Sequence, residues 1–199
     1  MPTPGTATFS LLRKQVELFT PITDEDWDML LPHLELKQLP KNKFFIKEGK
    51  KETQIGFVVN GMLRQYYTKD GEEKTTYFFF EHHFTGAYIS CITGRPSLIT
   101  IEALSDTEYI SFPYAILLQL FDKSMAWQKF GRLMAEYLTT GLEERMVSLL
   151  LQSPEERYLD LLSGNKKKII ERVPQHYIAN YLGITPVSMS RIRSRLSKK

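Results

Sequence analysis

The chain has 199 residues, of which 42% are hydrophobic and 25% charged, and its net charge is +3. Its one cysteine, Cys91, excludes an internal disulfide, a Cys-ligated zinc site and a Cys-ligated iron–sulfur cluster within a single chain. No signal peptide opens it and no apolar run approaches ~18 residues, so a soluble, cytoplasmic protein with no membrane partner is expected.

The first segment, Phe9 to about Leu36, has helical spacing, with Trp27, Leu30, Leu31 and Leu34 on one stripe. Thr23 stands three residues before Asp26, a capping arrangement, and Pro21 and Pro32 divide the segment. From Glu35 to Pro113 the pattern becomes strand-like: Lys43–Lys47, Ile55–Asn60, Met62–Tyr67, Thr75–Phe80, Ser97–Ala103 and Glu108–Phe112. Glu48-Gly49, Asn60-Gly61 and Asp70-Gly71 separate these runs, and Asn-Gly and Asp-Gly favour tight turns because both residues tolerate positive φ. Short strands so spaced predict an antiparallel barrel or roll. The aromatic run Tyr77-Phe78-Phe79-Phe80 reads as a strand buried on both faces, with the lining of an apolar pocket as the alternative.

At Tyr114 the period returns to 3.6. One short helix is predicted to Phe121, and a long one from Ser124 to about Leu151, roughly 40 Å at 1.5 Å per residue. Its apolar residues Trp127, Phe130, Met134, Tyr137, Leu138 and Leu142 are the expected dimerisation set, because so long a stripe suits a partner helix. Pro154 starts a helix from Glu155 to Leu162, ended by Ser163-Gly164-Asn165. Lys166–Arg172 reads as a short strand or loop.

The last segment, Gln175–Lys199, predicts two helices. Ile178 and Leu182 mark one face of the first, and Gly183 makes the turn. Thr185 caps the second before Pro186, with Val187, Ile192 and Leu196 expected to pack. Arg191, Arg193 and Arg195 are left for phosphates or base edges, which describes a DNA-binding helix-turn-helix. Charge agrees: residues 152–199 hold 10 Lys/Arg and 4 Asp/Glu, whereas residues 1–151 hold 16 and 19. No HExxH, P-loop, GxSxG or DxDxDG motif occurs, so neither an enzyme nor a metal site is expected. The fold class read here is α+β, with a roll domain over 1–123, a long helix over 124–151 and a helix-turn-helix domain over 152–199.

Three glycine-punctuated stretches, Ile46-Lys47-Glu48-Gly49, Phe57-Val58-Val59-Asn60-Gly61 and Phe84-Thr85-Gly86, precede the long helix. Ile178, Ala179, Gly183 and Arg191 follow it in the helix-turn-helix. In this order they resemble the cyclic-AMP receptor and fumarate–nitrate regulator family of transcription factors. The resemblance implies a cyclic-nucleotide-binding-like roll and a homodimer built on the long helix. It also implies a palindromic double-stranded DNA operator read by Thr185–Leu196, with RNA polymerase as a further partner.

The same resemblance exposes departures. The expected effector wall is Phe84, Gly86, Ala87, Tyr88, Arg95 and Ser97. Ala87 stands where cyclic-AMP binders place a ribose-binding glutamate. Ser97 stands where they place the phosphate-binding arginine, with Arg95 two residues away. Losing both contacts costs on the order of 3–5 kcal/mol, roughly a hundredfold or more in affinity, so cyclic AMP is not expected and the effector is unknown. Haem is not expected either, because His82-His83 reads as a polar loop or barrel cap.

The chain ends at Lys199, so most or all of the family's wing is expected to be missing. Pro186 and Val187 replace the usual arginine–glutamate reading pair. Ser188, Arg191 and Arg193 are the expected base readers, with Ser190 and Lys198 on phosphates. Gln175, His176, Thr185 and Arg195 complete the DNA-binding set. The competing reading is a small-molecule sensor whose truncated helix-turn-helix binds protein instead of DNA.

Overall fold

The computed structural model describes residues 4–163 and 166–196. The N-terminal segment is two helices, α1 (Pro4–Glu17) and α2 (Asp24–Leu30), then a 3₁₀ turn, Leu31–His33. The expected helix does not reach Leu36, because β1 (Glu35–Leu39) pairs antiparallel with the strand at 107–113. The Thr23 hydroxyl accepts from the Asp26 N–H at 3.1 Å, and the Asp26 carboxylate accepts from the Thr23 N–H at 3.1 Å, a complete capping box. Asp26 also accepts from the Ser124 hydroxyl at 2.5 Å.

The Ser124 hydrogen bond, followed by the two from Thr23, holds the Asp26 carboxyl below its ordinary range. A carboxyl lowered on folding contributes stability that is complete above the unfolded value, about 4, and lost as pH falls through the folded one. Acid titration of Ser124→Ala should therefore show a shallower loss of stability below about pH 4 than the parent chain. An identical acid limb in the two proteins would show that this contact carries no proton linkage.

Strands β2 (Phe44–Ile46), β3 (Gln54–Asn60), β4 (Leu63–Lys69), β5 (Glu72–Phe79), β6 (Phe84–Thr85), β7 (Thr100–Ala103) and β8 (Thr107–Pro113) follow. They form two four-stranded sheets, ordered β1-β8-β3-β6 and β2-β7-β4-β5. The Asp-Gly turn forms as read, with Asp70 at φ 54° and Gly71 at φ 78° joining β4 to β5. The aromatic run is buried at Phe78, Phe79 and Phe80 but exposed at Tyr77, which corrects the expectation of burial on both faces.

Helix α3 (Tyr88–Thr93) was not expected; Gly94 ends it in the left-handed conformation, returning its N–H to the Ser90 carbonyl at 2.9 Å. Helices α4 (Tyr114–Lys123) and α5 (Met125–Leu151) follow the sheets. A Cβ at Gly131 would lie 2.7 Å from the Phe121 ring, so glycine there permits α4 and α5 to meet.

Trp127 and Phe130 correct the expected dimerisation set. Both are buried in their own unit, among Leu12, Leu30, Phe57 and Leu120. The Trp127 indole N–H donates to the Asp26 carbonyl at 2.9 Å, and the Phe130 ring stands edge-on to Trp127 at 5.6 Å. The first two turns of α5 therefore close the roll's core, while Tyr137 and Leu142 are exposed.

The C-terminal helices are α6 (Pro154–Leu161), α7 (Lys167–Arg172), α8 (Gln175–Tyr181) and α9 (Pro186–Leu196). Lys166–Arg172 was expected as strand or loop, but residues 167–172 are helical. Ile169 and Val173 anchor this short helix in the core, and Lys167 pairs with Glu171 one turn on. Tertiary packing outweighs the β-branched preference there. Gly164 and Asn165, expected to end α6, lie outside the described residues.

The chain divides into two compact units, Met1–Gln65 with Phe78–Leu138, and Tyr66–Tyr77 with Thr139–Lys199. Among the described residues no helix is long and apolar enough to cross a membrane.

Candidate functional site

Helices α8 and α9 are joined by a tight turn at Gly183, whose φ of +72° is the left-handed region that favours glycine. The Gly183 N–H donates to the Asn180 carbonyl at 3.0 Å, and the Ile184 N–H to the Ala179 carbonyl at 3.0 Å. The Thr185 hydroxyl then caps α9, accepting from the Ser188 N–H at 3.2 Å. Ile178, Ala179 and Leu182 of this pair are buried, as are Met189 and Ile192.

The burial of Met189 sets the phase of α9. Val187, expected to pack, lies roughly half a turn from that buried face and is 61% exposed. The outward face carries Val187, Ser190, Arg191 and Ser194, with Arg193 to one side. Ser188 is half-buried, its hydroxyl 3.0 Å from that of Thr185. Arg195 pairs with Glu155 of α6 at 3.0 Å. Ser188, Arg191 and Arg195 line one groove together with Glu155. Gln175 and His176 are exposed at the start of α8, with the His176 ring 3.9 Å from that of Tyr177. Lys198 lies outside the described residues.

Two arginines absent from the sequence reading hold this pair. Buried Arg157 donates to the Leu182 carbonyl from Nε at 3.1 Å and from Nη2 at 2.9 Å. Its Nη1 donates to the Gln152 carbonyl at 2.5 Å, at the end of α5. Arg145 lies over the Tyr181 ring at 3.8 Å and donates to the Tyr181 carbonyl. Each guanidinium thus meets carbonyls at the C-terminus of α8, where the helix dipole favours a cation. The only local sequence signal was an arginine inside a capped helix.

In the roll, Ala87 is buried in an apolar cluster with Ile46, Val58, Leu63, Phe79 and Ile101. The Ser97 hydroxyl donates to the Ile99 carbonyl at 2.8 Å and accepts from the Ile99 N–H at 3.1 Å. Arg95 is exposed, and its carbonyl accepts from the Ser90 hydroxyl at 2.6 Å. Phe84 packs on Phe57 and Phe130, and the Tyr88 ring meets Tyr114 edge-on at 5.8 Å. Gly86 approaches β3 closely, since a Cβ on it would lie 3.2 Å from the Gln54 carbonyl oxygen. The six expected wall residues therefore do not converge as one polar set: Ala87 belongs to the apolar interior, while Arg95 and Tyr88 face solvent.

The sheet carries a buried charge pair that spacing did not disclose. Arg64 of β4 is buried, and its guanidinium reaches Glu102 of β7 at 2.7 and 2.9 Å. Burial, with a further contribution from the Glu52 charge, pushes the half-buried Cys91 thiol up to about 11, which disfavours the thiolate. His82 adopts φ +70° with its ring stacked on Phe57, and its N–H donates to the Val58 carbonyl at 2.8 Å.

Residues 36–124 match the cyclic nucleotide-binding domain family. The chain is 26% identical over 190 residues to the fumarate and nitrate reduction regulatory protein of Vibrio cholerae serotype O1, covering 89% of this chain and 75% of that protein. In structure it is similar to FixK2 from Bradyrhizobium japonicum, with a TM-score of 0.68 at 20% identity over 83% of this chain and 85% of that one. It is also similar to the c-di-GMP responsive global regulator CLP of Xanthomonas campestris, with a TM-score of 0.68 at 15% identity over 88% and 92% of the two chains.

Proposed function

We propose, from the premise that the chain belongs to the cyclic-AMP receptor and fumarate–nitrate regulator family, that it is a dimeric, sequence-specific DNA-binding regulator of transcription. The observation that carries the DNA reading is the division of α9. Met189 and Ile192 face the core, while Val187, Ser190, Arg191 and Ser194 face outward. A helix held by its apolar side and presenting a polar, basic side can enter a major groove. Arg191 is the base reader, because it lies on the outward face and arginine pairs bidentately with guanine. Arg193 and Ser190 suit phosphates, and Gln175 and His176 can reach the backbone from the start of α8. Arg195 is held by Glu155 and contributes less than its charge suggests.

The roll is the effector sensor, and its cyclic-nucleotide chemistry is degenerate. Ala87 supplies no carboxylate for a ribose, and the Ser97 hydroxyl has both bonding directions occupied by Ile99. An effector suited to this interior is less anionic than a cyclic nucleotide, because the apolar cluster around Ala87 offers a phosphate no countercharge.

Selection of duplexes from a random pool should recover a two-fold symmetric site bound with a steep salt dependence. Arg191→Ala should then cost about 1–3 kcal/mol and relax preference at one base per half-site. Uniform weakening across sequences would place Arg191 on a phosphate instead. No duplex preference and no salt-dependent binding at low ionic strength would overturn the DNA reading altogether.

A further inference from the structure

Glu155 stands in the first turn of α6 without taking part in its cap. The capping box there is closed by the next residue: the Ser153 N–H donates to the Glu156 carboxylate at 2.7 Å, and the Ser153 hydroxyl accepts from the Glu156 N–H at 3.3 Å. The Glu155 carboxylate turns instead to α9, where it meets the Arg195 guanidinium at 3.0 Å. A groove of about 740 Å³ runs between α6 and α9. Among the described residues that line it, Glu155 is the one acid, beside the two cations Arg191 and Arg195.

The place of Arg195 on α9 gives this pair its meaning. At about 100° per residue, Arg193 and Arg195 fall on opposite flanks of the helix, between the buried side of Met189 and Ile192 and the outward face. A helix lying in a major groove has the phosphate backbones along its flanks, so flanking cations are the ones that meet phosphates. On the α6 flank that place is already taken, because a carboxylate offers a guanidinium the same kind of charged acceptor as a phosphate. The Arg195 side chain is 65% exposed and that of Glu155 31%, so the guanidinium is open to a second anion. So exposed an ion pair holds weakly, and a duplex can exchange it without unfolding either helix.

We propose that Glu155 is a built-in competitor for the DNA backbone. In the free chain its carboxylate occupies Arg195. In the complex a phosphate takes that guanidinium, and the displaced Glu155 is left as a negative charge beside the duplex. Both consequences act on the backbone and neither on a base edge. Glu155 therefore holds down binding to every duplex alike and leaves sequence preference to Arg191. This inference rests on the DNA reading given above and names a restraint on that same site.

Glu155→Gln keeps the shape of the side chain and removes its charge. The full-length variant is expected to bind a selected duplex about fivefold more tightly per half-site at about 0.15 M salt, with a salt slope steeper by about 0.9 per half-site. A duplex of random sequence should gain by the same factor. Adding Arg195→Gln should return both affinities to within about twofold of the parent. Glu171→Gln removes an equal charge from the Lys167 pair, which does not line the groove, and should leave affinities within about twofold of the parent. Equal affinities and slopes in the parent and Glu155→Gln, or weaker binding by the variant, would overturn the competitor. So would a gain confined to particular base sequences, a gain that persists with Arg195→Gln, or an equal gain from Glu171→Gln. If neither the parent nor Glu155→Gln binds any duplex at low ionic strength, the DNA reading fails and takes this inference with it. If both bind alike, the DNA reading stands and the competitor alone falls.

Discussion

Arg157→Ala is expected to unfold the C-terminal helices while leaving the first unit folded. The side chain is 9% exposed and spends its donors on carbonyls at the ends of two helices, Gln152 of the α5 end and Leu182 of the α8 end. Charge-assisted hydrogen bonds are worth roughly 1.5–3 kcal/mol each, and truncation leaves buried acceptors without a donor, so a loss of about 3–5 kcal/mol is expected. The molecule offers a clean separation of readouts. Both tryptophans, Trp27 and Trp127, are buried in the first unit, so their fluorescence follows the roll. Far-UV dichroism reports the helices of both units, so a partial loss that precedes the tryptophan transition follows the C-terminal ones, as, on the DNA reading, does duplex affinity. The expected result is an early helical transition and lost duplex binding, with the tryptophan transition in place. Arg157→Lys should recover only part of the loss, because an ammonium cannot fork between Leu182 and Gln152. A tryptophan transition that moves with the helical one would mean that the two units unfold as one, and the clamp would then not be local.

The contrast between the two arginines and the helix pair they hold marks where sequence reading succeeds. The turn at Gly183, the cap at Thr185 and the tight turn at Asp70-Gly71 were legible because each depends on a backbone preference of the residue itself. The buried end of α5 was legible as apolar but not as to its partner. Trp127 and Phe130 look like dimer residues until α1, α2 and α4 are placed over them. The face of α9 was misread by the same kind of error. Val187 and Met189 are both apolar, and only burial in the folded helix pair selects the phase that puts Met189 inside. Arg64–Glu102 lies 38 residues apart, and the Asn180 contacts with β5 lie 105 and 107 apart. No spacing rule reaches so far, because only the folded chain brings these groups together.

The second large effect is expected at the exposed side of α5. Leu142 is 71% exposed and Met146 56% exposed, one helical turn apart and within one unit. A chain gains little from such residues by itself, so Leu142→Glu with Met146→Glu should change monomer stability by no more than about 0.5 kcal/mol each. In the proposed dimer the same positions would face a partner helix, and two glutamates from each chain would be buried against two others. Like charges cannot both stay ionised and dry there, so the dimer should dissociate. The consequence for DNA is larger than for the fold. Two linked recognition helices on two half-sites gain about 10²–10⁴ in avidity over one, and that gain requires the dimer. The double variant is therefore expected to sediment as a monomer, lose at least about a hundredfold in affinity for a two-half-site duplex, and bind a single half-site as the parent does. A variant that stays dimeric with unchanged affinity would move the interface off this face of α5. A variant that is monomeric yet binds the full site at parental affinity would instead detach DNA reading from dimerisation, and with it the expectation of a palindromic operator.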